Sequence, residues 1–174
     1  MASANTHSHD PALDLFAAVR SSRRPRDRRK LVVEAARYLG AVSILLVGAV
    51  HAQQYYGAYF SVVPTIGTLF LLSFIGAAIV GAVLLSPVRH LGREIGDAAL
   101  VAAALGAISI AVGTFVSLLI SEYTPLFGFM ESGYRLAVVL TLLFDGLTTV
   151  FLGFFLLIVG PQLIRAITAE RRAR

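Results

Sequence analysis

Asp145 and His51 are the two residues of this chain whose chemistry is out of keeping with their apolar neighbours. Asp145 stands in the run Leu142-Leu143-Phe144-Asp145-Gly146-Leu147. It falls about ten residues into a long apolar stretch, or about 15 Å at the helical rise, close to the centre of a bilayer. Charge at that depth costs roughly 2.5–3.5 kcal/mol on insertion scales. The side chain is therefore expected to face the protein interior and find a partner. Thr141, Thr148 and Thr149 flank it at helical spacing and could supply hydrogen bonds. Two roles stay open: a proton, cation or polar-substrate site, or a hydrogen-bonded tie between helices.

His51 begins a second cluster, with Gln53, Gln54, Tyr55 and Tyr56, at the far end of the first apolar stretch. By the same rise it lies about 9 Å below the outer boundary. An imidazole there can meet Asp145 if the two helix faces coincide, or be satisfied by water and headgroups. Glu122, Glu131, Tyr123 and Tyr134 mark an outer loop, where carboxylates are ordinarily solvated. Arg93 and Asp97 fall at i,i+4 spacing beside Arg89, His90 and Glu94, as an end-cap would place them.

Several chemistries are excluded or disfavoured. There is no cysteine, hence no disulfide, thiolate metal site or cysteine nucleophile. Walker A, HExxH, GxSxG and CxxC patterns are absent. A bis-histidine haem needs two membrane histidines at matched depth, and only His51 qualifies in one chain, although two copies of His51 could meet in a homodimer. No cofactor and no metal are expected, and the reading leans away from an enzyme.

The elements that must position Asp145 and His51 follow from composition. The chain is 57% hydrophobic and only 14% charged, against roughly 45–50% and about 25% for soluble domains. Its mean hydropathy is +0.78. Four spans are expected at about 38–57, 64–85, 95–120 and 136–164, which makes residues 38–164 a transmembrane domain. Residues 1–37 form a basic N-terminal arm and residues 165–174 a basic tail. Tyr38 suits the interface at the start of the first span, with Arg37 snorkelling toward the inner face. Pro64 fits the first turn of the second span. Ser86-Pro87 ends it, and Gly160-Pro161 is expected to bend or loosen the inner end of the fourth.

Basic residues decide the orientation. The arm carries Arg20, Arg23, Arg24, Arg26, Arg28, Arg29, Lys30 and Arg37; the connection between the second and third spans carries Arg89 and Arg93; the tail carries Arg165, Arg171, Arg172 and Arg174. Arg135 alone falls on the other side. By the positive-inside rule both termini are cytoplasmic. Tyr55, Tyr56, Tyr59, Tyr123 and Tyr134 mark the opposite rim. The fold class is all-α: a polytopic antiparallel four-transmembrane-helix bundle, N-in/C-in, with sequential helices as neighbours.

Lipid gives helices little hydrophobic reason to associate, so small residues at four-residue spacing mark the contacts. Ala99, Ala103, Ala107 and Ala111 form one such ridge, beside Ser109, Gly113 and Ser117. Ala77 and Gly81 form another, and Asp145, Thr149 and Gly153 a third. The same ridges could serve a homodimer. Arg23, Arg24, Arg26, Arg28, Arg29 and Lys30 are candidates for contact with anionic headgroups, at roughly 1 kcal/mol each. No folded reader accompanies this patch, so nucleic acid is not an expected partner.

Residues 51–87 read HAQQYYGAYFSVVPTIGTLFLLSFIGAAIVGAVLLSP. His51 with its Gln and Tyr neighbours, the run Pro64-Thr65-Ile66-Gly67-Thr68-Leu69-Phe70 and the small-residue helix after it resemble a recurrent stretch in small four-span membrane proteins of actinobacteria. The resemblance covers the first hairpin. It implies a bacterial plasma-membrane protein and brings no reaction with it. The expected function is that of a non-enzymatic helper, a partner subunit to another membrane protein, or a homo-oligomer. The alternative is a small transporter or channel subunit in which Asp145 and His51 handle a proton or cation.

Overall fold

The computed structural model describes residues 25–128, 130, 133 and 135–173. Compact units divide the chain at residue 32. Of the first unit, the described part is the opening of a helix, where Arg28, Arg29 and Lys30 are exposed. Arg23 and Arg24 lie outside the described residues, as do Glu131 and Tyr134, and Arg26 is described in its backbone alone.

The structure is all-helical. Its long helices are α1 (Pro25–Gly57), α2 (Pro64–Leu85), α3 (Arg93–Tyr123) and α4 (Leu136–Ala173). Each contains a segment long and apolar enough to cross a membrane. Short 3-10 turns at Phe60–Val62 and Val88–Leu91 precede α2 and α3. Pro64 opens α2, and the Ser86 amide and hydroxyl both return to the Ala82 carbonyl at its end. Pro161 lies inside α4, which continues through it to Ala173.

Successive helices run in opposite directions. Gly40 of α1 packs on Leu152 of α4, Gly48 on Ala77 of α2, and Gly81 of α2 on Leu45 of α1. Gly76 of α2 meets Ile110 of α3, and Gly106 of α3 meets Val80 of α2. With α3 packed along α4, the bundle closes into a ring. Small residues make this possible, because lipid-like surroundings reward close backbone approach rather than bulk. Ala77, Ala103 and Ala107 are buried among Ile44, Val47, Leu84, Leu100, Leu152 and Phe155, and Ala111 is buried further along α3. Large apolar side chains such as Leu72, Ile79, Val150 and Leu157 face outward, the reverse of a water-soluble bundle.

Both 3-10 turns seat against glycine. A Cβ on Gly67 would lie 2.4 Å from the Phe60 carbonyl oxygen, and one on Gly96 would lie 2.7 Å from the Arg89 Cα. The second contact matters for the charged end of the bundle, because it fixes where Arg89 stands.

Candidate functional site

Three polar assemblies sit at three levels of the bundle. At the arginine-rich end, the Glu34 carboxylate accepts from Arg37 at 2.9 Å and from Arg89, whose Nε also donates to Asp97 at 2.8 Å. Partial burial works against the Arg89 charge, but the hydrogen bonds to Asp97 and Glu34 outweigh it and raise the pKa of the guanidinium. Arg37 does not snorkel to water. It is 4% exposed, with its guanidinium 4.4 Å from the Tyr38 ring centroid. Glu34, one turn earlier on the same helix, offers a carboxylate closer than bulk water. Asp97 takes Arg89 rather than the Arg93 of its own helix as its described partner; the side chain of Arg93 lies outside the described set.

At mid-level, Asp145 is 1% exposed. Its Oδ2 accepts from Thr114 Oγ1 of α3 at 2.8 Å. The flanking threonines behave differently from one another. Thr149 donates to the Asp145 backbone carbonyl at 2.9 Å, an ordinary i,i−4 return. The Thr148 hydroxyl is fully buried with no partner among the described residues, as is Asp145 Oδ1. The carboxylate's partner thus comes from the neighbouring helix. A signal for Thr114 existed in the sequence: it lies three residues beyond Ala111, on the small-residue face that packs against α4.

Toward the tyrosine-rich end a cavity of about 440 Å³ opens between the helices, within the range of small-molecule sites. Its lining draws on the last turns of α1 (His51, Gln54), the first half of α2 (Leu69, Phe70, Ser73), the second half of α3 (Thr114, Ser117, Ser121) and the first turns of α4 (Val138, Thr141). Leu126 and Arg135, from the connection before α4, also line it. His51 is buried, and its Nδ1 lies 3.0 Å from the Val47 carbonyl oxygen. A carbonyl only accepts, so Nδ1 carries the proton, which leaves Nε2 for a second partner. The ring leans on Phe70 with centroids 5.4 Å apart, and Phe70 meets Phe60 edge-on. Gln54 Nε2 donates to Gln53 Oε1 at 2.5 Å, with Gln54 buried and Gln53 exposed. Tyr55 and Tyr56 form an edge-to-face pair, while Tyr56, Tyr59 and Tyr123 are exposed on the rim.

No known protein family, curated protein or solved structure matches this chain. The site is therefore read from its own geometry.

Thr114 joins two of the three assemblies, since it lines the cavity and also donates to Asp145. His51 shares the cavity with Thr114 and donates its hydrogen bond within its own helix. No group of three or more His, Asp or Glu residues suited to a metal occurs among the described residues. What the arrangement offers is hydrogen bonding from hydroxyl, amide and imidazole at the cavity wall, Arg135 in the same lining, and one interhelical tie beneath it.

Proposed function

We propose that this chain is an integral protein of a bacterial plasma membrane with both termini cytoplasmic, and that it works without catalysis, as a partner subunit or homo-oligomer. The reading of location rests on the four apolar helices, on the basic residues that crowd one end while Arg135 stands alone at the other, and on the resemblance over residues 51–87. The exposed Arg28, Arg29 and Lys30 continue a basic arm suited to anionic headgroups.

The observation that carries the non-catalytic reading is the bond from Thr114 to Asp145 above a closed core. Between Asp145 and the arginine-rich end lie Leu100, Ala104, Leu152 and Phe155, all with no exposed surface. A conduit needs polar groups along its length, whereas a tie needs only a partner. Asp145→Asn tests this, because Asn keeps a hydrogen-bond acceptor for Thr114. The variant is expected to fold, insert and co-purify with its partners as the parent does. The transporter reading has one observation in its favour: Thr114 connects the cavity to Asp145. Under that reading Asp145→Asn folds but abolishes pH-dependent flux that the parent shows in proteoliposomes, and such a loss overturns the tie.

A further inference from the structure

The cavity has two unlike sides. His51, Gln54, Thr141 and Ser121 make a buried back wall. Leu69, Leu72, Gly113 and Ser117, on α2 and α3, line it and are exposed. The opening between these two helices therefore faces sideways, toward the surroundings of the apolar exterior. From Ser109 to Ser121 the α3 wall is about 18 Å tall at the helical rise, an elongated slot rather than a round pocket.

The hydrogen-bonding capacity of the back wall and of the opening is only partly used. The hydroxyls of Thr141 and Ser117 make no hydrogen bond among the described residues. His51 spends Nδ1 on Val47, leaving Nε2. The Gln54 amide spends a donor on Gln53, leaving its carbonyl oxygen. Hydroxyl, amide and imidazole together offer both polarities, in a slot whose lining also includes Leu, Ile and Phe, the hydroxyls of Ser73 and Thr114, and Arg135. Arg135 also lines the cavity, but it precedes Thr141 by six residues, about 9 Å of backbone at the helical rise, so a head at the Thr141 level is met first by hydroxyl, amide and imidazole. An unaccompanied buried charge is far costlier than a neutral head.

We propose that this cavity binds a membrane-borne amphiphile with an uncharged oxygen head, hydroxyl or carbonyl, on an apolar tail. The head turns to the Thr141 and His51 wall, with the Ser117 hydroxyl at the opening, and the tail leaves between α2 and α3. Two lipid sources share that chemistry: prenyl quinones, whose flat ring would lie near Phe70, and long-chain alcohols or diacylglycerols. The proposal rests on the membrane-spanning reading, whose own test by reporter fusion is read without any ligand.

The test uses the full chain in nanodiscs, titrated calorimetrically against protein-free discs with a decyl-tailed benzoquinone, decanol and decanoate at pH 8. Saturable binding of one benzoquinone or decanol per chain is expected, with decanoate weaker by about tenfold or more. A tighter benzoquinone names the ring lipid as the source, and equal affinities name the open-chain alcohols. Gly113→Leu is the occluding variant. A Cβ at Gly113 meets nothing within 4 Å, so a side chain there is accommodated at the opening and fills it. Leu72→Phe, on the exposed opposite lip, is the second. Either is expected to abolish binding with helical content retained and melting not lowered. The Thr141→Val, Ser117→Ala pair should weaken binding about five- to tenfold, the worth of one or two hydrogen bonds. Full binding in a folded Gly113→Leu protein overturns the proposal. So does the absence of saturable binding, or decanoate binding tighter than decanol and lost in Arg135→Gln, which would place an anion at the rim instead.

Discussion

Thr114 Oγ1 donates to Asp145 Oδ2 across 2.8 Å, from the middle of α3 to the middle of α4. One hydroxyl on a neighbouring helix gives this buried acid its partner. The contact is local, but four helices depend on the α3–α4 pairing for their ring.

Removing that donor gives the first expected outcome. Thr114→Val keeps the shape and loses the hydroxyl. Interhelical hydrogen bonds in membranes average about 0.6 kcal/mol and reach about 1.7. A loss in that range is expected in mixed-micelle unfolding, because Asp145 Oδ1 already has no partner among the described residues to share the load. In a double-mutant cycle with Asp145→Ala, which removes the acceptor that Asn would keep, a coupling energy indistinguishable from zero would contradict the tie.

Glycine close contacts make a graded set. A Cβ on Gly67 would press on the Phe60 backbone oxygen at 2.4 Å, which cannot turn aside as a side chain can. Gly67→Ala is expected to cost about 1–3 kcal/mol, as overpacking does. At Gly113 a Cβ meets open space in a helix, so Gly113→Ala should stabilise by about 0.5–1 kcal/mol through helix propensity. Thermal unfolding in detergent reads both. Equal effects at the two positions would refute the packing account.

Charge at the arginine-rich end predicts an asymmetry. Arg37 is nearly buried and relies on Glu34, whereas Arg89 is 41% exposed. Asp97→Asn should cost under about 1 kcal/mol and fade with added salt, as partly exposed pairs do. Glu34→Gln should cost more and respond less to salt, because it leaves the Arg37 guanidinium buried without its carboxylate. Unfolding midpoints at low and high ionic strength decide. A larger loss for Asp97→Asn would reverse the assignment of which pair matters.

Topology supplies the remaining expectation. Reporter fusions at residue 174 and ahead of residue 25 should both report the cytoplasm, and a fusion in the loop after Tyr123 the opposite side. Flotation with anionic liposomes tests the arm: neutralising Arg28, Arg29 and Lys30 should weaken association by roughly 1 kcal/mol per residue at low salt. Association that survives high salt unchanged would remove the electrostatic account of the arm.

The four long helices were legible in the chain because each apolar run outlasts a bilayer core and is punctuated by Pro64, by Ser86-Pro87 and by the Pro125–Gly133 loop. That Asp145 would turn inward was also legible, since a lone acid in apolar surroundings has nowhere else to go. The small-residue ridge at Ala103, Ala107 and Ala111 announced a buried face. These are properties of one segment against its surroundings, and one segment suffices to read them.

Only the tertiary structure decided which groups meet. Glu34 and Arg89 lie 55 residues apart, and Thr114 and Asp145 lie 31 apart. Such pairings depend on the rotation of each helix about its own axis and on its height beside its neighbour. Nearly uniform apolar text leaves both loosely determined, because many rotations bury similar area. Steric contact at single glycines resolves them, as Gly40 does against Leu152 and Gly96 against Arg89. The cavity beside His51 is the clearest case, for no single helix contains it. It exists because four helix ends, packed tightly below, leave space above.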